Sequence, residues 1–264
     1  MKQFYIKCAA AAAVIIVSLI ICARLSDMSS SSNSIAKTTA DTLSAANVHI
    51  STDLIDTERR EVCDCTMISS IDAVSLARQF LGRSIKKISD TEFSSSEGIF
   101  TVSNSHFTYS SAAPKFAADT RSVSASTATS IALRLCDEYG IDYADGATEL
   151  SSVNDGYYVS VMKTLYGLPM FNNALVLDLH SDGLHSVFGV DFRIKEGTDT
   201  MREAKSASDA LWEFARDCTD PKRDTIITGL KLGYMLDDPD RLETVLRPVW
   251  RIIVENSTIY YIDA

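Results

Sequence analysis

The residues able to do chemistry are few and scattered. Histidine occurs four times, as His49, His106, His180 and His185. His180 and His185 flank Asp182-Gly183, a hairpin dipeptide between two apolar-alternating runs, so the two rings can approach each other beside Asp178 or Asp182. No HExxH, HxH or clustered carboxylate–histidine set accompanies them, so two surface histidines beside a turn explain the pattern without a metal. Cys63 and Cys65 form CDC. One intervening residue is poor spacing for a ligand pair and strained for a disulfide. Pairing with Cys136 or Cys218 is open in an oxidising compartment, but those two fall on helical apolar stripes, where a free thiol behaves as a small hydrophobe. GxSxG, GxxxxGK[ST] and GxGxxG are all absent. Asp237, Asp238 and Asp240 cluster around Pro239 without the spacing or closing Glu of an EF-hand, which suits a solvated loop. No catalytic, cofactor-binding or metal residue is assigned, and the chain is expected not to be an enzyme.

The most specific local pattern is C-terminal. In LRPVWRIIVENSTIYYIDA, Leu246–Ala264, alternation sends Trp250, Ile252 and Val254 to one side of a strand. Trp250, Ile252 and Tyr260 are expected to form the core of a terminal hairpin, with Pro248 at an edge position.

Elements that would position these residues recur in one order. Helices are predicted over Ile35–Asn47, Ser69–Gly82, Ser126–Gly140 and Ser206–Cys218, the last three opening on Ser and carrying apolar stripes. The stripes are Ile71, Val74, Ala77 and Leu81; Ala128, Ile131, Ala132, Leu135 and Tyr139; and Ala207, Ala210, Leu211 and Phe214. Strands follow each: Glu92–Phe93, Gly98–Val102 and His106–Ser110; then Tyr157–Tyr166, Ala174–His180 and Leu184–Phe192; then Thr228–Leu236, Val245–Glu255 and Thr258–Ile262. The reading is α+β: repeated helix-plus-antiparallel-β-meander units, with a first unit over 35–121 and two more over 122–264 that share one domain.

Composition narrows function further. The chain has 264 residues, 46% apolar and 23% charged, as expected for a folded protein. Its net charge is −10, and three of its positive residues, Lys2, Lys7 and Arg24, flank the N-terminal apolar run, so the rest is more acidic still. Nucleic acid and anionic lipid headgroups repel such a body. The uncharged run Cys8–Ala23, apolar but for Ser18, spans about 24 Å as a helix, short of a hydrocarbon core of about 30 Å. Counting from Phe4 lengthens it, with Lys7 placed to snorkel. Bulky Ile21 spoils both a lipobox and an A-x-A cleavage site, so Met1–Arg24 is expected to be an uncleaved transmembrane signal anchor with the N-terminus cytoplasmic. Residues 25–34 are a polar linker. Ala9, Ala13, Ile16 and Ile20 share one face of the anchor, and small residues four apart allow close helix pairing in lipid.

Taken in order, ANVHIS, ARQFLG, EFSSSEGIFTVSNSHFTYS, TLYGLPMFNN, LVLDLHSDGLHSVFG, SASDAL, LKLGYML and LRPVWRIIVENSTIYYIDA resemble the YycH/YycI family of bacterial accessory proteins, closest to the YycI side. The resemblance spans roughly Ile35 to Ala264, behind an anchor in the expected place. It implies a single-pass membrane protein of low-GC Gram-positive bacteria. Such a protein modulates an essential sensor histidine kinase of cell-wall homeostasis, in complex with that kinase and a YycH-type membrane partner. The family has no catalytic residues to carry over and implies no cofactor. The aromatic–Gly–hydrophobic–Pro and P-x-W-x-I hairpins also occur in PepSY-like domains, so an extracytoplasmic PepSY-like binding or protease-inhibitory domain is the alternative.

Overall fold

The computed structural model describes residues 32–115, 123–141, 143–220 and 222–264. The expected anchor Met1–Arg24, its pairing face Ala9, Ala13, Ile16 and Ile20, and the linker as far as residue 31 lie outside the described residues. No described helix is long and apolar enough to cross a membrane.

In chain order the elements are helix α1 (32–44), β1 (Val48–Ile50), β2 (Glu61–Ser69), α2 (Ala73–Leu81), β3 (Lys86–Lys87), β4 (Glu92–Ser95), β5 (Gly98–Ser103) and β6 (His106–Lys115). Then come α3 (Ala125–Tyr139), β7 (Tyr143–Val153), β8 (Gly156–Leu165), β9 (Leu168–His180), β10 (Gly183–Val190), β11 (Phe192–Ile194) and β12 (Thr200–Glu203). The chain closes with α4 (Ala207–Asp217), β13 (Thr225–Leu236), β14 (Glu243–Val254) and β15 (Ile259–Asp263). The fold is mixed helix and strand, with strand predominating.

Two compact units form. The first takes residues 32–60, Lys205–Lys231 and Trp250–Ile262; the second takes Glu61–Ala204, Leu232–Val249 and Asp263–Ala264. Each is assembled from separate stretches of chain. β13 and β14 contribute residues to both.

In the first unit, β1 runs parallel to the start of β13, pairing Val48 with Thr225. Ser206 caps α4 by accepting from the Asp209 N–H, and the expected stripe Ala207, Ala210, Leu211 and Phe214 is buried. Thr39 of α1 and Ser208 of α4 share a 2.9 Å hydroxyl hydrogen bond.

In the second unit the strand order is β11-β2-β14-β13-β9-β10-β6-β5-β4-β3, with β8 on β9, β7 on β8 and β12 on β2. Side chains alternate as a half-buried sheet requires. Leu175, Leu177 and Leu179 are buried, and Val176, Asp178 and His180 are partly exposed. α2 and α3 pack on the buried face through Ala77, Phe80 and Leu81 and through Ala128, Ile131, Ala132 and Leu135. The β8–β9 turn has positive φ at both Tyr166 (50°) and Gly167 (76°), the mirror-image turn whose twist suits a two-residue hairpin.

Several expectations are corrected. The predicted helix start at Ser69 is the end of strand β2. The cap is Asp72, whose side chain accepts from the Val74 and Ser75 N–H groups. Ala77 and Leu81 of the expected stripe are buried and Phe80 joins them, whereas Ile71 precedes the helix and Val74, in its first turn, is exposed. α3 is capped by Ser124, which accepts from the Thr127 N–H, rather than by Ser126. β7 was not anticipated. Pro248 lies on a strand with neighbours on both sides, not on an edge. Its missing N–H is tolerated because the β2 ladder stops at Leu246. The Pro248 carbonyl instead accepts from the Ala264 N–H at 3.0 Å.

Candidate functional site

The second unit's core is apolar along most of its length and turns polar at one end. On β8 the inward row is Val159, Val161 and then Lys163. On β9 it is Leu179, Leu177, Leu175 and then Asn173. On β10 it is Val187 and Gly189, and then Asp191 just beyond the strand. β9 pairs with β8 and β10 on its two sides, so antiparallel register brings these three departures from apolar alternation to the same end. Lys163 Nζ donates to Asp191 Oδ1 at 2.6 Å, with both side chains largely shielded.

The two adjacent asparagines of β9 behave differently. Asn172 uses both ends of its carboxamide: Nδ2 donates to the Leu236 carbonyl at 2.7 Å, and Oδ1 accepts from the Leu236 N–H at 2.8 Å. Asn173 is fully buried; its Nδ2 reaches only the Met170 sulfur at 3.5 Å, and its Oδ1 has no partner. A buried acceptor without a donor costs on the order of 1–3 kcal/mol. The residue borders a cavity of about 380 Å³, whose walls also include Lys163, Asp191 and Arg193, Gln79 of α2, and an apolar side with Phe107 and Phe192; Asn173 itself exposes no surface to it. Taken singly, none of Lys163, Asn173 and Asp191 stands out in the sequence. The available signal was the parity of Lys163, Asn173 and Asp191 with the apolar residues of their own strands.

The histidines at the β9–β10 turn do meet. Their ring centroids lie 4.6 Å apart. His180 pairs through Nδ1 with Asp155 and through Nε2 with Asp178 at 2.9 Å, while His185 pairs with Asp182 at 2.7 Å. Among the described residues no set of three or more His, Cys, Asp or Glu side chains is arranged to hold a metal. The Asp155 hydrogen bond, opposed by partial burial and helped by Asp178, raises the His180 pKa above its ordinary 6.5. A raised histidine pKa contributes stability that is complete below about 6.5 and disappears as pH climbs through the folded value. His180→Gln is therefore expected to destabilise the protein at pH 6 by on the order of 0.5 kcal/mol, because Asp155 is exposed and screened, and by less at pH 8.5. Urea midpoints at the two pH values test this; an equal loss at both would remove the titration from the account.

Cys63 and Cys65 lie on β2 and are buried free thiols, as is Cys136 on α3; Cys218, partly buried, is free too. Burial, reinforced by Cys63, pushes the Cys65 thiol up to about 12, and burial pushes Cys136 up to about 11, so both are protonated and unreactive at neutral pH. The acidic loop is matched by its own cations: Asp237 pairs with Arg247, and Asp238 with Arg241 at 2.9 Å. Asp240 approaches His106 at 3.4 Å.

In the terminal hairpin, Trp250 and Ile252 are buried and Tyr260 is half-buried. Trp250 Nε1 donates to the Lys205 carbonyl at 2.8 Å, immediately before α4. Tyr260 meets Phe214 edge-on at 5.1 Å.

No family model matches the chain, and no curated protein matches it. Among solved structures it is similar to an uncharacterized protein from Eubacterium rectale, at 15% identity over 82% of this chain and 86% of that one, with a TM-score of 0.44. It is also similar to YycH from Bacillus subtilis, at 11% identity over 78% of this chain, with a TM-score of 0.47. The match spans 53% of the YycH chain, about half its length.

Proposed function

We propose that this chain is a membrane-anchored extracytoplasmic regulator that modulates a sensor histidine kinase of cell-wall homeostasis by forming a complex with it and with a YycH-type membrane protein. The observation that carries the reading is the ordered set of sequence motifs from ANVHIS to YYIDA behind a positively flanked apolar segment. These motifs fall on defined elements. TLYGLPMFNN makes the β8–β9 hairpin, LVLDLHSDGLHSVFG the β9–β10 hairpin, LKLGYML ends β13, and the final motif makes β14–β15. The N-terminus stays cytoplasmic and the described residues lie outside, so regulation passes through the bilayer helix or through ectodomain contacts, not through catalysis.

Affinity capture of the full chain from gently solubilised membranes is expected to recover a sensor histidine kinase together with a YycH-type protein. Recovery of a protease instead would favour a PepSY-like inhibitory domain and overturn the proposal; so would recovery of the chain alone. Ala9→Leu with Ala13→Leu is expected to weaken co-recovery several-fold, and Ala11→Leu with Ile15→Leu on the opposite face to change it little. If an unrelated helix of equal length restores full regulation, the anchor is a tether and the ectodomain carries the contact.

A further inference from the structure

We infer that the cavity at the polar end of the second unit's core binds a small monocarboxylic acid with an aliphatic chain. The inference is independent of the regulatory reading and rests on how charge and open apolar surface are distributed around the cavity. Arg193 of β11 lines it and is exposed, and among the described residues no carboxylate pairs with this guanidinium. Lys163 lines the same cavity, and its ammonium spends only one of its N–H donors, on Asp191. Two cations thus face one carboxylate, a local positive excess in a chain whose net charge is −10. The apolar wall is open as well. Leu76 of α2, Ile141 after α3, Leu165 at the end of β8 and Ile194 of β11 all line the cavity, and all four are only half-buried. Aliphatic side chains from four parts of the unit converge on one space without closing it. Its volume of about 380 Å³ falls within the range of small-molecule sites, about 300–1,000 Å³, which combine apolar walls with a few polar groups. Asn173 exposes no surface to it and takes no part in the recognition.

The chemistry of the walls selects the ligand. A planar guanidinium pairs with a carboxylate through two parallel N–H···O bonds, a fit that an ammonium lacks. Because Arg193 is exposed, the carboxylate keeps water on its outer side while the chain lies along the aliphatic wall. One negative charge balances the excess cation. A phosphate or a dicarboxylate would bring a second, against Asp191 and against the acidic body. A neutral ligand would gain the apolar contact alone.

The test uses the full chain in phosphatidylcholine nanodiscs and three probes: hexanoate, its neutral isostere hexanamide, and acetate, which has the head without the chain. Binding is followed at pH 7 by chemical-shift changes of backbone amides on β8 and β11. Hexanoate is expected to bind saturably, and hexanamide and acetate each at least tenfold more weakly. In Arg193→Gln, at an exposed position that folding tolerates, hexanoate is expected to fall to the level of hexanamide while hexanamide changes less than twofold. Leu165→Asn is expected to weaken hexanoate and hexanamide alike. Lys37→Gln removes one exposed cation from the other unit and is expected to leave all three probes unchanged. Acetate binding as tightly as hexanoate would reveal a general anion effect and overturn the assignment. So would equal binding of hexanoate and hexanamide, binding of neither, or a loss in Arg193→Gln no greater than in Lys37→Gln. Each of these outcomes leaves kinase recruitment untouched.

Discussion

Trp250→Ala is expected to lower the unfolding free energy by about 3–5 kcal/mol, the range for removing a large aromatic from a core. The residue is 3% exposed, and alternation along β14 sets it beside Ile252 on the buried side. Its indole also has a directional task. Nε1 donates to the Lys205 carbonyl, whose residue precedes the Ser206 cap of α4. Truncation therefore opens a cavity and also leaves a carbonyl without its donor. Trp250→Phe separates the two effects: most of the packing is retained, and the lost hydrogen bond leaves a deficit of about 1–2 kcal/mol. Against a usual total of about 5–15 kcal/mol, the alanine variant gives up a large share of the protein's stability. Denaturant midpoints of the full chain measure both. An unmoved midpoint in Trp250→Ala would mean that the indole packs against nothing in the isolated protein, and would turn it into a candidate anchor for a partner.

How legible each element was depended on whether its signals were local. α4 was readable to within a residue, because a Ser cap, an apolar stripe and a break after Cys218 all lie inside one short window. α3 was readable for the same reason, and Gly140 ends it in the left-handed conformation that glycine favours. β2 was missed because its alternation of Cys63, Cys65 and Met67 was weighed as thiol chemistry rather than as a period-two apolar face. That omission in turn displaced the start of α2. Parallel contacts such as Val48 with Thr225 and Met170 with Tyr234 join segments far apart in the chain, and no local pattern specifies them. The polar end of the core is a harder case. Lys163, Asn173 and Asp191 each look like an ordinary solvent-side residue in isolation. Only the parity of each with Val161, Leu175 and Val187 reveals that they face inward, and only the sheet register shows that they share an end.

The second large effect is expected from Phe80→Ala, and it reaches from local helix stability to the cavity. α2 has only nine residues, too few to be stable alone in water, so it exists because tertiary packing holds it. Phe80 supplies much of that packing: it is 2% exposed, and its ring lies 5.7 Å from Phe100, 5.6 Å from Phe107 and 5.3 Å from Tyr109. Removing it is expected to cost about 3–5 kcal/mol by cavity formation, at the upper end because several aromatic pairings are lost together. The loss should also be uneven. α3 has fifteen residues and its own buried stripe, so amide exchange is expected to accelerate more on α2 than on α3. Leu76 and Gln79 of α2 form part of the cavity wall that Asn173 shares. A loosened α2 is therefore expected to loosen that wall too, even though Phe80 itself does not line the cavity. Hydrogen exchange and a denaturant midpoint on the same variant test this chain of effects. If α2 keeps its native protection while the global stability falls, the helix is held by contacts other than the aromatic cluster, and the cavity wall does not depend on Phe80.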